Sequence, residues 1–195
     1  MPVPAIAILC SGNGSNFQAI LAAIRRRKLR ARVSVLVTDN AGAYALARAR
    51  KAKIPSVVVS PPPFSSREAF DRALARVIEK SGARLVVLAG FMRILSPWFV
   101  RRFRGRILNI HPALLPAFPG AHAVRDALRA KAKRTGVTVH FVDEQVDHGP
   151  ILLQHAVPVR RGDTEKTLHS RIHRVEHKLY SQAIQLVLNG KVKSK

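Results

Sequence analysis

The chain has one cysteine, Cys10, so no internal disulfide can form. Disulfide-stapled folds are excluded, and a reducing cytoplasmic setting is expected. Acidic residues are also scarce: 11 Asp and Glu stand against 34 Lys and Arg, for a net charge of +23. Aromatic residues make up only 6%, with no aromatic RNA-binding signature, zinc-finger spacing or heptad zipper. No apolar run approaches the ~20 residues that cross a bilayer, so no membrane partner is expected. The first ten residues lack a basic leader and a clear cleavage site, and read as a first β-strand rather than a signal peptide. Cys10 fits a small apolar residue closing that strand better than it fits a nucleophile.

What is present is enough apolar material for a core: 47% of the residues, with mean hydropathy near zero. At 195 residues one domain, 1–195, is expected. Strands are predicted at residues 4–10, 33–38, 56–59, 85–90 and 107–110, separated by helical patterns. Phe17, Ile20, Leu21 and Ile24 fall on one helix face, and helices are predicted at 42–53 and 66–80. Ser66 is the expected cap of the latter, with Glu68 in its first turn. Two further strands, 135–142 and 151–157, flank a polar loop at 143–150. A last helix, about 164–189, has Ile172, Val175, Leu179, Ala183 and Leu186 as its apolar stripe and ends at Asn189-Gly190. Alternating strands and helices predict an α/β fold, Rossmann-like. It has a mostly parallel sheet of about seven strands with helices on both faces, ending in the long C-terminal helix. Pro61-Pro62-Pro63 reads as a stiff loop, not a domain boundary, and the tail 191–195 as mobile.

The basic residues occur in runs: Arg25-Arg26-Arg27-Lys28, then residues 48–53, 101–106 and 129–134. They read as solvated faces spread along helices, which attract anionic ligands at long range. Nucleic acid is not expected as a partner.

Asn109 and His111 lie two apart at the end of a predicted strand, so both project from one face. Pro112 stops the strand. A neutral amide donor beside a titratable ring, at the carboxyl end of an α/β strand, suits a reaction that builds an oxyanion and moves a proton. The same residues are also compatible with a polar strand end capping a turn. After the first strand, Ser11-Gly12-Asn13-Gly14-Ser15-Asn16 leads into a helix. It is neither a Walker A loop nor a complete dinucleotide fingerprint, because Phe17 stands where a third glycine belongs. It suits a single phosphate, or else a tight turn capped by Ser15 or Asn16. Asp147, if near His111, would favour the imidazolium. His169 and His173 are i, i+4 but lack supporting ligands, and no metal is expected.

The segments SGNGSN (11–16), AGFMRILS (89–96), NIHPALLPAFPG (109–120) and VDEQVDHGP (142–150) occur in the order and spacing of a known family. The chain resembles the phosphoribosylglycinamide formyltransferases, within the formyl-tetrahydrofolate enzymes, over nearly its whole length. The resemblance implies transfer of a formyl group from 10-formyltetrahydrofolate to the amine of glycinamide ribonucleotide in purine synthesis, by a monomer or homodimer. It implies a catalytic trio of Asn109, His111 and Asp147. Ribonucleotide contacts would fall on Gly14, Ser15, Asn16, His173, Arg174, Val175 and Glu176. Folate contacts would fall on Arg67, Met92, Arg93, Ile94, Leu95 and Asn109, and on Asp143, Glu144, Gln145, Val146 and Asp147. Ala117, His148, Ala121 and Ala123 depart from the usual pattern, which bears on substrate affinity. Related alternatives are a formyl-folate deformylase, which usually carries an N-terminal regulatory domain, and a methionyl-tRNA formyltransferase, which carries a C-terminal RNA-binding domain. The charge alone raises a third, a basic nucleic-acid-binding protein on a Rossmann scaffold.

Overall fold

The computed structural model describes residues 2–61 and 64–192, so Pro62, Pro63 and the tail beyond residue 192 lie outside the described residues. The strands are β1 (Ala5–Leu9), β2 (Arg32–Thr38), β3 (Ser56–Val58), β4 (Leu85–Leu88), β5 (Ile107–His111), β6 (Arg134–Phe141) and β7 (Ile151–Pro158). They form one sheet in the order β3-β2-β1-β4-β5-β6-β7. β1 to β5 are parallel, and β6 and β7 each run antiparallel to the strand before. The predicted Rossmann-like sheet is therefore present.

β1 and β4 are buried at every position, as continuous apolar runs covered on both faces must be. One face carries α1 (Ser15–Arg25), α2 (Tyr44–Lys51), α5 (Ala123–Arg129) and α6 (Glu165–Leu188). The other carries α3 (Arg67–Lys80) and α4 (Pro97–Arg102), which pack Phe70, Leu74, Ile78 and Phe99 onto the sheet. Ser66 caps α3 by accepting from the Ala69 N–H, and Thr164 and Thr167 form a reciprocal capping box on α6.

Two expectations are corrected. The α6 stripe comprises Leu168, Ile172, Glu176, Leu179, Tyr180, Ala183 and Ile184, whereas Val175 and Leu186 are only half-buried. The stripe is wider than a simple apolar period because α6 packs against α1 as well as the sheet, which draws the polar Glu176 and Tyr180 inside. The Tyr180 hydroxyl sits 2.8 and 2.9 Å from the carbonyls of Leu88 and Leu108, tying α6 to β4 and β5. The basic runs at 101–106 and 129–134 do not lie along helices. α4 ends at Arg102 and α5 at Arg129, so most of each run is in the connection that follows.

The order places β1 between β2 and β4, so the chain crosses over there and leaves a crevice at the carboxyl ends of the strands. The loops after β1 and β4 are bonded together: Ser11 N–H donates to the Gly90 carbonyl at 3.0 Å, and Met92 N–H to Ser11 Oγ at 2.8 Å.

Candidate active site

Asn109 and His111 close β5, and Asp147 reaches both from the loop between β6 and β7. Asp147 Oδ2 lies 3.2 Å from His111 Nδ1, and Asn109 Nδ2 donates to Asp147 Oδ1 at 3.3 Å. Asp147 has φ +52°, a left-handed turn that Asp tolerates and that aims its side chain back at β5. Gly120 N–H also donates to Asp147 Oδ2, at 2.8 Å. Burial is the largest influence on this carboxyl and pushes it up. The hydrogen bond from His140, the Gly120 N–H and the His111 and His140 rings together outweigh it, so Asp147 lies below the ordinary carboxylate range.

His111 is buried and both its ring nitrogens are engaged. Nε2 lies 2.8 Å from the Phe118 carbonyl, which can only accept, while Nδ1 faces Asp147. A ring protonated at both nitrogens satisfies both contacts. Any oxygen that receives a hydrogen bond from Nε2 must therefore displace Phe118 O. The base of that loop is held in place: Thr138 Oγ1 donates to Ala113 O at 2.7 Å, and Gln154 Nε2 donates to Leu115 O at 2.8 Å.

Around the glycine loop, Gly14 occupies the N-cap of α1 with φ +72° and no side-chain cap. Neither Ser15 nor Asn16 caps the helix end, which lies at the crevice edge of β1. Arg48 braces the loop from α2, donating to Asn13 O at 2.8 Å and Asn13 Oδ1 at 2.9 Å. Asn16 Nδ2 donates to Glu176 Oε2 at 3.0 Å, and Asn16 Oδ1 is buried without a partner. Burial pushes the Glu176 carboxyl up, against the pull of Asn16 and of His169. His173 Nε2 lies 3.7 Å from Glu176 Oε2 on the same helix face. Arg174 is exposed and Val175 packs against the core, so the structure does not bring these two to Asn16. The rings of His169, His173 and His177 follow one another along α6, the last two stacked, and burial lowers all three.

A cavity of about 600 Å³ opens beside the β4 loop, lined by Arg67, Phe70, Met92, Arg93 and Ile94 among others. Arg93 bonds Asp39 at 3.1 Å and lies over the Phe70 ring. Leu95 is not part of this wall: it is buried in the core against α3 and α4. Among the described residues, Asp143, Glu144, Gln145 and Val146 do not line the cavity either. Glu144 pairs with Arg101 at 3.1 Å, and Gln145 and Val146 are exposed.

Residues 5–184 match the formyl transferase family. The chain belongs to that family. Among curated members, the trifunctional purine biosynthetic protein adenosine-3 of Drosophila pseudoobscura pseudoobscura is 47% identical over 191 residues. That match covers 97% of this chain but 14% of the longer protein. Phosphoribosylglycinamide formyltransferase of Escherichia coli (strain K12) is 45% identical over 188 residues, covering 96% of this chain and 89% of that one. The crystal structure of glycinamide ribonucleotide transformylase 1 from Symbiobacterium toebii aligns with a TM-score of 0.94 at 48% identity. It covers 96% of this chain and 89% of that one.

Within this candidate site, two residues escape sequence reasoning. His140 faces Asn109 across the β5–β6 ladder, and its Nε2 lies 3.3 Å from Asn109 Nδ2 and 3.6 Å from Asp147 Oδ1. Its Nδ1 donates to the Phe141 carbonyl at 2.8 Å, so that nitrogen carries a proton. Its signal was a histidine inside an otherwise apolar and β-branched strand. Asp71, on the buried stripe of α3, accepts from the Ser96 N–H at 2.5 Å and so anchors the 92–96 loop. A carboxylate on an apolar helix stripe was the available signal. The departures also find places: His148 Nδ1 bonds Asp143 at 2.7 Å, and Ala123 is buried as the first residue of α5. Ala117 and Ala121 are exposed.

Proposed function

We propose that the chain transfers a formyl group from 10-formyltetrahydrofolate to the amine of glycinamide ribonucleotide, as one domain, monomeric or homodimeric, in the cytoplasm. The observation that carries this reading is Asp147 held by both Asn109 and His111, at the sheet edge that also presents the open Gly14 helix end. Nothing among the described residues is a helix long and apolar enough to cross a membrane.

The ribonucleotide phosphate sits on the loop Gly14, Ser15 and Asn16, where the helix end favours an anion. Glu176 and His173 hold the glycinamide amine end, with Arg174 and Val175 contributing through the helix that carries them. Arg67, Met92, Arg93 and Ile94 take the folate, whose flat ring suits an apolar wall with few polar groups. Leu95 backs that wall, and the 143–147 loop closes the other side.

The amine attacks the formyl carbon, forming a C–N bond and leaving negative charge on the formyl oxygen. Asn109 Nδ2 and His111 Nε2 donate to that oxygen, which takes the place of Phe118 O on the ring. Collapse breaks the bond to the folate nitrogen, and the amine's proton passes to that nitrogen by way of His111 and Asp147, through water. Such donors act on charge that exists only in the transition state. The test is a formyl-transfer assay in which folate and ribonucleotide are omitted in turn. Product must require both, and formate release without ribonucleotide would indicate a deformylase instead.

A further inference from the structure

The fold gathers the basic runs at one edge. In a parallel sheet with returning helices, every helix-to-strand connection lies at the amino edge, opposite the crevice. The connections entering β3, β2, β4 and β5 are of this kind, and these strands stand side by side around β1. Residues 25–32 contain six cations and no acid, all six exposed. Arg84 precedes β4, and Arg104 and Arg106 precede β5, all exposed in connections without an acid. Glu79 is nearby but is engaged by Arg102 at 2.7 Å. α6 ends at the same edge, where Gln185 accepts from Arg30 N–H.

These charges are poorly placed to serve the crevice. A five-residue strand separates the two edges by about 17 Å, roughly two Debye lengths at physiological ionic strength. They are well placed to serve a ligand on their own edge. From β3 to β5 the strands span about 19 Å, the reach of several consecutive phosphates, and along that span the basic connections flank the uncharged entry to β1. Into it opens a cavity of about 440 Å³, floored by Leu85, Val187, Leu188 and Val192 and bordered by Arg84, Arg104 and Arg106. The Arg106 guanidinium already lies over the Phe103 ring, 5.3 Å from its centroid.

We propose that this amino edge binds single-stranded nucleic acid. The arginines of residues 25–32, Arg84 and Arg104 hold phosphates, and the apolar-floored cavity receives an unstacked base. Guanidinium groups match phosphate oxygens in pairs and stack on base planes. An apolar pocket between them has no use for a chain of carboxylates but fits a flat heterocycle. Both RNA and DNA offer this chemistry, and they differ by the 2′-hydroxyl.

The test is fluorescence anisotropy with a labelled single-stranded RNA of about 20 nucleotides, the same sequence as DNA, and unlabelled polyglutamate as competitor. Five phosphate contacts predict about a hundredfold loss of affinity between about 50 and 200 mM salt. Neutralising four edge cations together (Arg26→Gln, Arg27→Gln, Arg84→Gln, Arg104→Gln) should weaken binding about tenfold or more and flatten the salt slope, with formyl transfer unchanged. Removing four charges elsewhere (Lys133→Gln, Arg134→Gln, Arg160→Gln, Arg161→Gln) should change binding little. Equal affinity for RNA and DNA assigns recognition to phosphate and base alone, and preference for RNA adds the 2′-hydroxyl. Three results would each overturn the proposal: no binding at low salt, equal losses in the two variants, or competition by polyglutamate matching that of RNA at equal charge.

Discussion

Asn16 donates its side-chain amide to Glu176 at 3.0 Å, joining the first turn of α1 to the middle of α6 across 160 residues of sequence, and both side chains are buried. This bond joins the two helices proposed to hold the ribonucleotide. It also sequesters a carboxylate whose charged form is costly there.

Burial raises the Glu176 carboxyl, so the fold disfavours its charged form more than water does. A raised folded value means this group adds stability below its unfolded value and loses it as pH rises through the folded value. Glu176→Gln keeps an acceptor for Asn16 without the charge. Its melting temperature relative to the parent should therefore climb as pH goes from about 4 to 8. Ribonucleotide affinity should fall in the same variant at pH 8. A melting difference that stays flat with pH would remove the buried charge from the account.

Asp147 lies below the ordinary carboxylate range, so it remains ionised through neutral and mildly acidic pH. Asp147→Asn should then lower kcat by a similar factor, about 100- to 1,000-fold, at every pH from about 6 to 9. Asn109→Ala and His111→Ala should reduce kcat by comparable factors while substrate affinity changes far less. An Asp147→Asn variant about as active as the parent, whose own turnover rises toward low pH, would mean that the neutral carboxyl is the working form.

A Cβ at Gly14 would lie 2.9 Å from Ala45 Cβ, at a φ of +72° that side chains rarely adopt. Gly14→Val should lose ribonucleotide affinity in calorimetry and retain folate affinity. Arg67→Ala, on the cavity wall, should show the reverse pattern, with the folate KM raised and the ribonucleotide KM unchanged. Equal weakening of both ligands in either variant would break the division of the crevice into two halves.

Away from the crevice, Arg171 donates to both oxygens of Asp163 at 2.8 Å and holds that carboxyl far below its usual range, helped by Arg160 N–H. A depressed carboxyl contributes stability above its unfolded value, and that stability is lost as pH falls toward the folded value. Arg171→Ala should therefore be less stable than the parent at pH 7, with the difference narrowing below about pH 4. Chemical denaturation at the two pH values measures this.

Much of the molecule was legible without coordinates, because local periodicity decides it. Continuous apolar runs alternating with 3.6-residue stripes specify buried parallel strands and crossover helices, and Ser66 and Thr164 mark helix starts through their own hydroxyls. The two-residue spacing of Asn109 and His111, closed by Pro112, placed that pair on one face of a strand end. Periodicity carries no information about which distant segments meet. The reach of Asp147 to β5 depends on a left-handed turn, and His140 joins the pair only through the antiparallel register that sets it opposite Asn109. Glu176 and Leu95 went inward because of what packs against them, α1 in one case and α3 with α4 in the other. The charge shows the same division. Its amount is written in the composition, but its collection at the amino edge arises because returning helices deliver separate basic runs to neighbouring strands.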